Sequence, residues 1–306
     1  MNLLPCVARI INQRLGGLGA RALWLVLLLA WGLSGCSLVV TGYNNGPQLV
    51  LFTWLNPHLD LSSAQERQVV ADLTQVQNWH RQQQLPLYVH WLQEMQAVAP
   101  GPVQAAQVCK WFDEMRESLT PVASQMEAPT VRLALSLQPD QFRVLKKRFE
   151  KENQKWRDEW QMDGSAQDQL DVQTDKGQEN AERIYGRLSS SQKTLLRQLA
   201  QASGFDVRKT WDERLRQQAD ATQALQAIAS KQPAISDATV LVHEWFDRSL
   251  HTPDENYAAY LKKRQHINCE AAAQFHNATS ASQRAHAVKV LKGYEEDVRK
   301  MMRTSG

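Results

Sequence analysis

Apolar residues recur at intervals of three and four from Gln48 onward, which is the spacing of one face of an α-helix. The clearest stripe contains Phe142, Leu145, Phe149 and Trp156, and most of the residues between them are charged. This pattern predicts a long amphipathic helix with one face against a core.

A second long helix is predicted over residues 207–228, because Gly204 gives a stop signal and Asp206 can cap the helix that follows. Alternating strand patterns are nearly absent. The apolar run at 49–52 follows Pro47 and favours a short helix over a strand. The chain is therefore predicted to be all-α, a multi-helix bundle built from two related halves.

The two halves are predicted from an internal repeat. Lys-Trp-Phe-Asp at 110–113 matches Glu-Trp-Phe-Asp at 244–247, and further matches keep the same order at similar offsets. Chance recurrence of helix signals is the alternative. With duplication, half one covers 47–163, a flexible connection rich in Gly, Ser, Asp and Gln covers 164–178, and half two covers 179–306.

Serine followed three residues later by glutamine recurs at predicted helix starts. It occurs at Ser62 with Gln65, Ser189 with Gln192, and Ser280 with Gln283; Thr252 with Glu255 and the segment 137–141 are variants. These pairs predict capping boxes, which satisfy backbone N–H groups in a first helical turn. The pattern is also similar to the Leu-Thr-x-x-Gln motif of small periplasmic stress chaperones, so a chaperone role is the alternative interpretation.

The first 35 residues have the plan of a secretory leader: three Arg residues, an apolar run at 22–33, and then small residues. Leu-Ser-Gly before Cys36 is similar to a lipoprotein cleavage site and predicts a lipid-modified Cys36 followed by a linker over 36–46. An ordinary cleavage site with an incidental cysteine is the alternative. Because an Asp after the cysteine commonly directs retention in the inner membrane, Ser37 favours the outer membrane, facing the periplasm.

Charge and cysteine content narrow the choice of partners. Without the leader's three Arg residues, 32 basic residues balance 32 acidic ones, so a nucleic-acid partner is not expected. An envelope protein partner is expected, with the membrane contacted through the anchor. Cys109 and Cys269 remain in the mature chain. They either form a disulfide in an oxidising compartment or lie apart as small buried residues.

Trp79, His80, Arg81 and Tyr88 form the densest cluster of residues suited to binding. An Arg beside aromatic rings could bind a carboxylate, a phosphate or a sugar. Alternatively, Trp79 lies in the core while His80 and Arg81 cap a helix. No metal-binding grouping, phosphate loop, dinucleotide fingerprint or nucleophile motif is present in the sequence, so we expect no metal, no cofactor and no enzymatic activity.

The lipoprotein-like leader, Leu-Ser-x-x-Gln, Trp79-His80-Arg81 and the Leu-Pro-Leu-Tyr segment ending at Tyr88 occur in an order that resembles a proteobacterial lipoprotein family known as domain of unknown function 6279. The resemblance covers the mature chain and is most specific at 60–92. It implies a mainly helical lipoprotein. The expected function is a non-enzymatic interaction, structural or chaperone-like role in the periplasm; an envelope enzyme or glycan-binding or small-ligand-binding protein is the alternative.

Overall fold

A computed structural model of the chain describes residues 36–303, with side chains from Val39 onward. The predicted leader and the thiol of Cys36 lie outside this description. Every regular element between 36 and 303 is helical, which confirms the predicted all-α class. In chain order the helices are α1 Cys36–Asn44, α2 Gly46–Val50, a π-helical segment Leu51–Leu55, α3 Asn56–Leu59, α4 Ser63–Gln83, α5 Leu85–Val98, α6 Ala105–Glu117, α7 Leu119–Ser136, α8 Pro139–Glu159, α9 Ala166–Tyr185, α10 Ser190–Ala202, α11 Val207–Lys231, α12 Ile235–Leu250, α13 Glu255–Asn277 and α14 Ala281–Arg303.

The described chain divides into two compact units. Unit 1 contains the chain up to Gln82, Leu119–Trp156 and Asp212–Thr252. Unit 2 contains Gln83–Ser118, Arg157–Trp211 and the chain from Pro253 onward. Each unit therefore takes residues from both predicted sequence halves.

Unit 1 has two buried clusters of apolar side chains. The first joins the π-helical segment, α3 and α4 to α8, and the second joins α7 to α11 and α12. The members of the first cluster are Leu51, Leu55, Leu59, Leu61, Val69, Leu137, Leu145 and Phe149. The members of the second are Val131, Ala134, Ile228, Ala238 and Val242. Burial of these aliphatic side chains, typically worth about 1.5–3 kcal/mol each, holds unit 1 together.

Unit 2 packs α5 against α14 and α6 against α13, with α9, α10 and α13 around Leu188 and Phe275. A disulfide joins Cys109 on α6 to Cys269 on α13, with Cα atoms 5.4 Å apart across a sequence separation of 160 residues. Of the two alternatives that the sequence left open for these cysteines, the structure shows the disulfide.

The structure differs from the local sequence expectations in three places. The connection predicted as flexible at 164–178 lies mostly within α9, because Ser165 and Asp168 form a capping box that starts this helix. The linker predicted at 36–46 contains α1. Helix α13 is capped by Asp254, whose carboxylate accepts from the N–H groups of Asn256 and Tyr257, and not by Thr252.

The three Ser-x-x-Gln capping boxes form, whereas the 137–141 variant keeps only the bond from the Gln138 N–H group to the Gln141 side chain. The glutamines of these helix starts also pair within each unit. In unit 1, the side-chain amides of Gln65 and Gln141 donate to each other's oxygen atoms at 3.1 and 3.0 Å. In unit 2, Gln192 and Gln283 do the same at 2.7 and 3.0 Å. Each of these side-chain amides also donates to the backbone carbonyl of a residue just before the helix that carries its partner glutamine. Two helix starts are thereby joined in each unit.

Candidate functional site

An apolar cavity of about 240 Å³ lies inside unit 1. This volume exceeds the roughly 150 Å³ of an engineered apolar cavity that binds benzene. Small side chains at Gly46, Ala221 and Ser249 form part of the wall beside aromatic and aliphatic ones. The apolar lining residues include Tyr43, Pro47, Val50, Trp54, Leu55, Leu59, Val69, Leu73, Val76, Val122, Met126, Pro129, Leu133, Leu145, Phe149, Leu225, Trp245 and Phe246.

The long helices reach the cavity because each places an i, i+4 stripe along it. On α4 the stripe runs through Val69, Leu73 and Val76, and ends at His80. On α7 it starts at Val122 and includes the residues at 126, 129, 130 and 133. Residues at this spacing share one helix face, so the sequence pattern alone directs these side chains to a common side.

The π-helical segment continues the helix from α2 into α3, because the residues at both junctions have right-handed helical dihedral angles. Pro57 lacks an N–H group and cannot give the usual bond to the carbonyl of Thr53, which accounts for the irregular hydrogen-bonding here. Trp54 lines the cavity, whereas Phe52 is 61% exposed. Such π-helical turns frequently occur at functional sites.

His80 closes one side of the cavity and is only 2% exposed. Its Nδ1 lies 3.0 Å from the hydroxyl of Tyr43. Burial, with a smaller contribution from the Arg81 charge, lowers the pKa of His80 to about 4, so the ring is neutral at pH 7. Burial also raises the pKa of Tyr43 to about 12, against the opposing effect of Arg81. A neutral imidazole and a neutral phenol therefore share this hydrogen bond, and the tautomer of His80 sets which of them donates.

His58 is a second buried histidine in the wall, 1% exposed. Its Nδ1 lies 2.5 Å from the carbonyl oxygen of Trp54, and its Nε2 lies 3.1 Å from a carboxylate oxygen of Glu152. Burial acts to raise the pKa of Glu152, but the hydrogen bond and charge of His58 and the nearby Arg148 outweigh it and lower that pKa. Protein groups therefore contact both nitrogens of this ring, although the Nε2 contact with Glu152 lacks the geometry of a hydrogen bond.

Asp72 is the buried carboxylate of the wall, 4% exposed. Arg132 holds it through two bonds, Nη2 to Oδ1 at 2.7 Å and Nε to Oδ2 at 3.1 Å. Gln68 donates to the same carboxylate at 3.1 Å. Because the charged and ring groups of the wall already have protein partners, the surface left for a ligand is mainly apolar.

The structure brings together only part of the predicted Trp79, His80, Arg81 and Tyr88 cluster. Arg81 lies over the ring of Tyr43, 5.3 Å from its centroid, and donates to Asn44. Trp79 is partly buried on α4 and is not among the residues lining the cavity. Tyr88 belongs to unit 2, where it is buried and stacks on Trp91.

Sequence reasoning missed Tyr43, Trp54, Asp72 and Ala221 as cavity residues. Tyr43 fell within the segment predicted as a linker, and Trp54 was one of several tryptophans at helical spacing. Asp72 gives no signal, since its partner Arg132 is 60 residues away in sequence. Only the stripe on α4 could have indicated that His80 lies on the same face as Val69 and Leu73.

Two further observations concern only residues 36–303. No helix there has the length and hydrophobicity needed to cross a membrane. No group of three or more His, Cys, Asp or Glu side chains in that range is arranged to hold a metal ion.

Comparison with known proteins gives one match. The profile of a protein family described as "Family of unknown function (DUF6279)" matches residues 57–245. These residues include α4, α7 and α8, with most of the cavity wall. No curated protein and no solved structure matches the chain.

Proposed function

We propose that this chain, which belongs to the DUF6279 family, is a non-enzymatic binding protein of the cell envelope. We propose that it holds an apolar group in the cavity of unit 1. The observation that carries this proposal is the cavity itself, about 240 Å³ with a mainly apolar wall. Pockets of this kind bind by burial and shape, while a few polar groups fix orientation.

The polar groups of the wall support binding over chemistry. His80 is neutral at pH 7 and shares a hydrogen bond with Tyr43, while Asp72 is held by Arg132. His58 and Glu152 contact each other. Groups committed to one another in this way orient the wall and avoid the penalty of burying polar atoms without partners.

The envelope location is supported by two features of the chain. The segment before Cys36 is similar to a lipoprotein cleavage site, and two or three acyl chains would hold the mature protein firmly on a bilayer. The disulfide between Cys109 and Cys269 fits an oxidising compartment such as the periplasm. We propose attachment to the outer membrane, on its periplasmic side.

The chaperone-like version has less support. The glutamines of the Ser-x-x-Gln pairs are bonded within each unit, and Gln65 and Gln192 are buried, so a structural role explains them. The ligand-binding alternative gains support at His80, which lines the cavity, but not at Tyr88, which stacks on Trp91 in unit 2. We therefore place binding in the cavity and not on the whole predicted cluster.

An environment-sensitive apolar dye, N-phenyl-1-naphthylamine, tests the proposal. We expect its fluorescence to rise on binding to the purified lipoprotein. Replacing Ala221→Leu should reduce dye affinity by about tenfold or more, because the added side chain fills the cavity. Ala219→Leu on the same helix is the matched control, since Ala219 is exposed and does not line the cavity.

Equal dye affinity in the Ala221→Leu and Ala219→Leu proteins would contradict cavity binding. Thermal melting of each variant shows whether it is folded before the comparison is made.

Fractionation of cells that produce the protein tests the lipid anchor. Cys36→Ala should move the protein from the membrane fraction to the soluble fraction. A Cys36→Ala protein that stays with the membrane would contradict the lipid anchor.

A further inference from the structure

We propose that the ligand of the cavity is a single acyl chain of a phospholipid from the membrane that anchors the protein. This inference deepens the proposed function and rests on it. Three observations lead to it: the position of the cavity along the chain, the chemistry of its wall, and its size.

The cavity begins close to the anchoring residue. Tyr43 is the first lining residue and follows Cys36 by seven positions within helix α1. At 1.5 Å per residue, this helix separates the two by only about 10 Å. The next elements also contribute to the wall, through Pro47, Val50 and Trp54. With Cys36 in a bilayer, this side of the cavity wall is separated from the lipid surface by the fewest residues of unit 1.

The exposed side of the same segment also suits a lipid surface. Phe52 is 61% exposed, one of the most exposed large apolar side chains of the described residues. It lies on the π-helical segment, two residues before Trp54, which lines the cavity. An aromatic side chain in water loses little by entering the boundary of a bilayer, where apolar faces of peripheral helices lie.

The wall favours a hydrocarbon over a peptide. A peptide segment would carry backbone N–H and C=O groups into an apolar space, and each one without a partner would be costly. The side chains of His58, Asp72 and His80 already have partners within unit 1. An acyl chain brings no polar atoms, and it restores the dispersion contacts that the wall of a void lacks.

The source of the chain follows from the anchor. Each acyl group on Cys36 that left the bilayer would weaken the anchor, whereas a neighbouring phospholipid can place one chain in the cavity and keep the other in the membrane. The volume of about 240 Å³ suits the end of one chain, because it is only somewhat larger than a cavity that accepts benzene. A phospholipid chain of the surrounding membrane is therefore the assigned occupant.

Photocrosslinking in vesicles tests this assignment. The full lipidated protein is reconstituted in phosphatidylethanolamine and phosphatidylglycerol vesicles that contain a phospholipid with a diazirine at the end of one acyl chain. After irradiation, mass spectrometry locates the labelled residues. We expect label on Trp54, Met126 and Leu133, which line the cavity. Ala221→Leu and Val76→Phe should each reduce this label at least fivefold, and Ala219→Leu should leave it unchanged.

Label confined to α1 and Phe52, or equal cavity label in the filled variants, would overturn the proposal. A second sample is made in cells fed a photoreactive fatty acid, so that the Cys36 anchor itself can crosslink. A crosslink from the Cys36 peptide to the cavity peptides would also overturn it, by assigning the cavity to the protein's own anchor. If N-phenyl-1-naphthylamine binds in the cavity but the phospholipid does not label it, only the acyl-chain assignment fails.

Discussion

His80 shows at the scale of one residue how burial sets the chemistry of this protein. An exposed histidine titrates near neutral pH, but this one is 2% exposed and its pKa is lowered to about 4. Its Nδ1 shares a hydrogen bond with the Tyr43 hydroxyl at 3.0 Å. Protonation would place a buried charge near the Arg81 guanidinium, which lies over the same Tyr43 ring. Acid should therefore weaken unit 1 here.

The contribution of His80 to stability should depend on pH with a definite sign. Its pKa is about 4 in the folded protein and 6.5 when unperturbed, so between these values the unfolded chain binds more protons. The free energy of unfolding should fall as pH decreases from about 6.5 to about 4, by roughly 3 kcal/mol at most, and this contribution should level off below. His80→Gln should show a shallower fall in urea unfolding over this range.

The histidine on α5 provides the control for that titration. His90→Gln removes an exposed side chain and should keep the wild-type slope of stability against pH. An unchanged slope in His80→Gln would contradict the assignment, whatever the absolute stability of the variant.

At the scale of helices, the capping boxes do more than start single helices. Ser62 and Gln65 begin α4, and Gln65 also donates to the backbone carbonyl of Ser136 at 2.9 Å. In unit 2, Gln192 donates in the same way to the carbonyl of Ala278 at 3.1 Å. Each unit thus uses a pair of glutamines, buried in unit 1 and partly buried in unit 2, to fix one helix start against another. This shared geometry supports the predicted duplication, which stays a prediction.

Removing one glutamine should affect the energy of the whole pair. Gln65→Leu would remove the bonds of Gln65 to Gln141 and to the carbonyl of Ser136, which would keep only those from Gln138, so we expect a loss of about 1–3 kcal/mol in the free energy of unfolding. The double variant Gln65→Leu/Gln141→Leu should lose less than the sum of the single variants, because the two side chains share their bonds. Denaturant unfolding measures all three proteins.

An exposed glutamine on the same helix serves as the control. Gln75→Leu should change the free energy of unfolding by no more than about 0.5 kcal/mol. Additive losses in the double variant would show that the two glutamines act independently and would contradict the paired arrangement.

At the scale of the whole molecule, chain order does not correspond to the compact units. Unit 1 joins three separate stretches, and so does unit 2. The disulfide connects two of the stretches of unit 2, from Cys109 on α6 to Cys269 on α13. A link across 160 residues removes much conformational freedom from the unfolded chain, which favours the folded state.

Loss of this link should therefore lower stability. Cys109→Ala/Cys269→Ala should reduce the free energy of unfolding by about 2–5 kcal/mol, measured by denaturant titration. Dithiothreitol should destabilise the wild-type protein and leave the double variant unaffected. Titration of wild-type protein that is unfolded without reductant should find neither thiol free; two reactive thiols would refute the bridge.

Local signals were sufficient for most of the helices. The stripe from Phe142 to Trp156 predicted a helix that the structure forms as α8, and Asp206 caps α11 as its position indicated. These predictions succeed because capping and face periodicity involve residues only three or four positions apart. At 164–178 the structure has a helix where the sequence predicted a flexible connection. The polar composition of this segment obscured the capping box of Ser165 and Asp168 that starts α9.

The sequence by itself determined the all-α class, most helix positions, the capping pairs and the resemblance to a family of unknown function. Only the tertiary structure decided that Gln65 meets Gln141, that Cys109 meets Cys269, and that the chain near Cys36 closes an apolar cavity with α7 and α12. Those contacts join residues tens to hundreds of positions apart. Their geometry depends on how whole helices pack, and no local pattern of side chains encodes that packing.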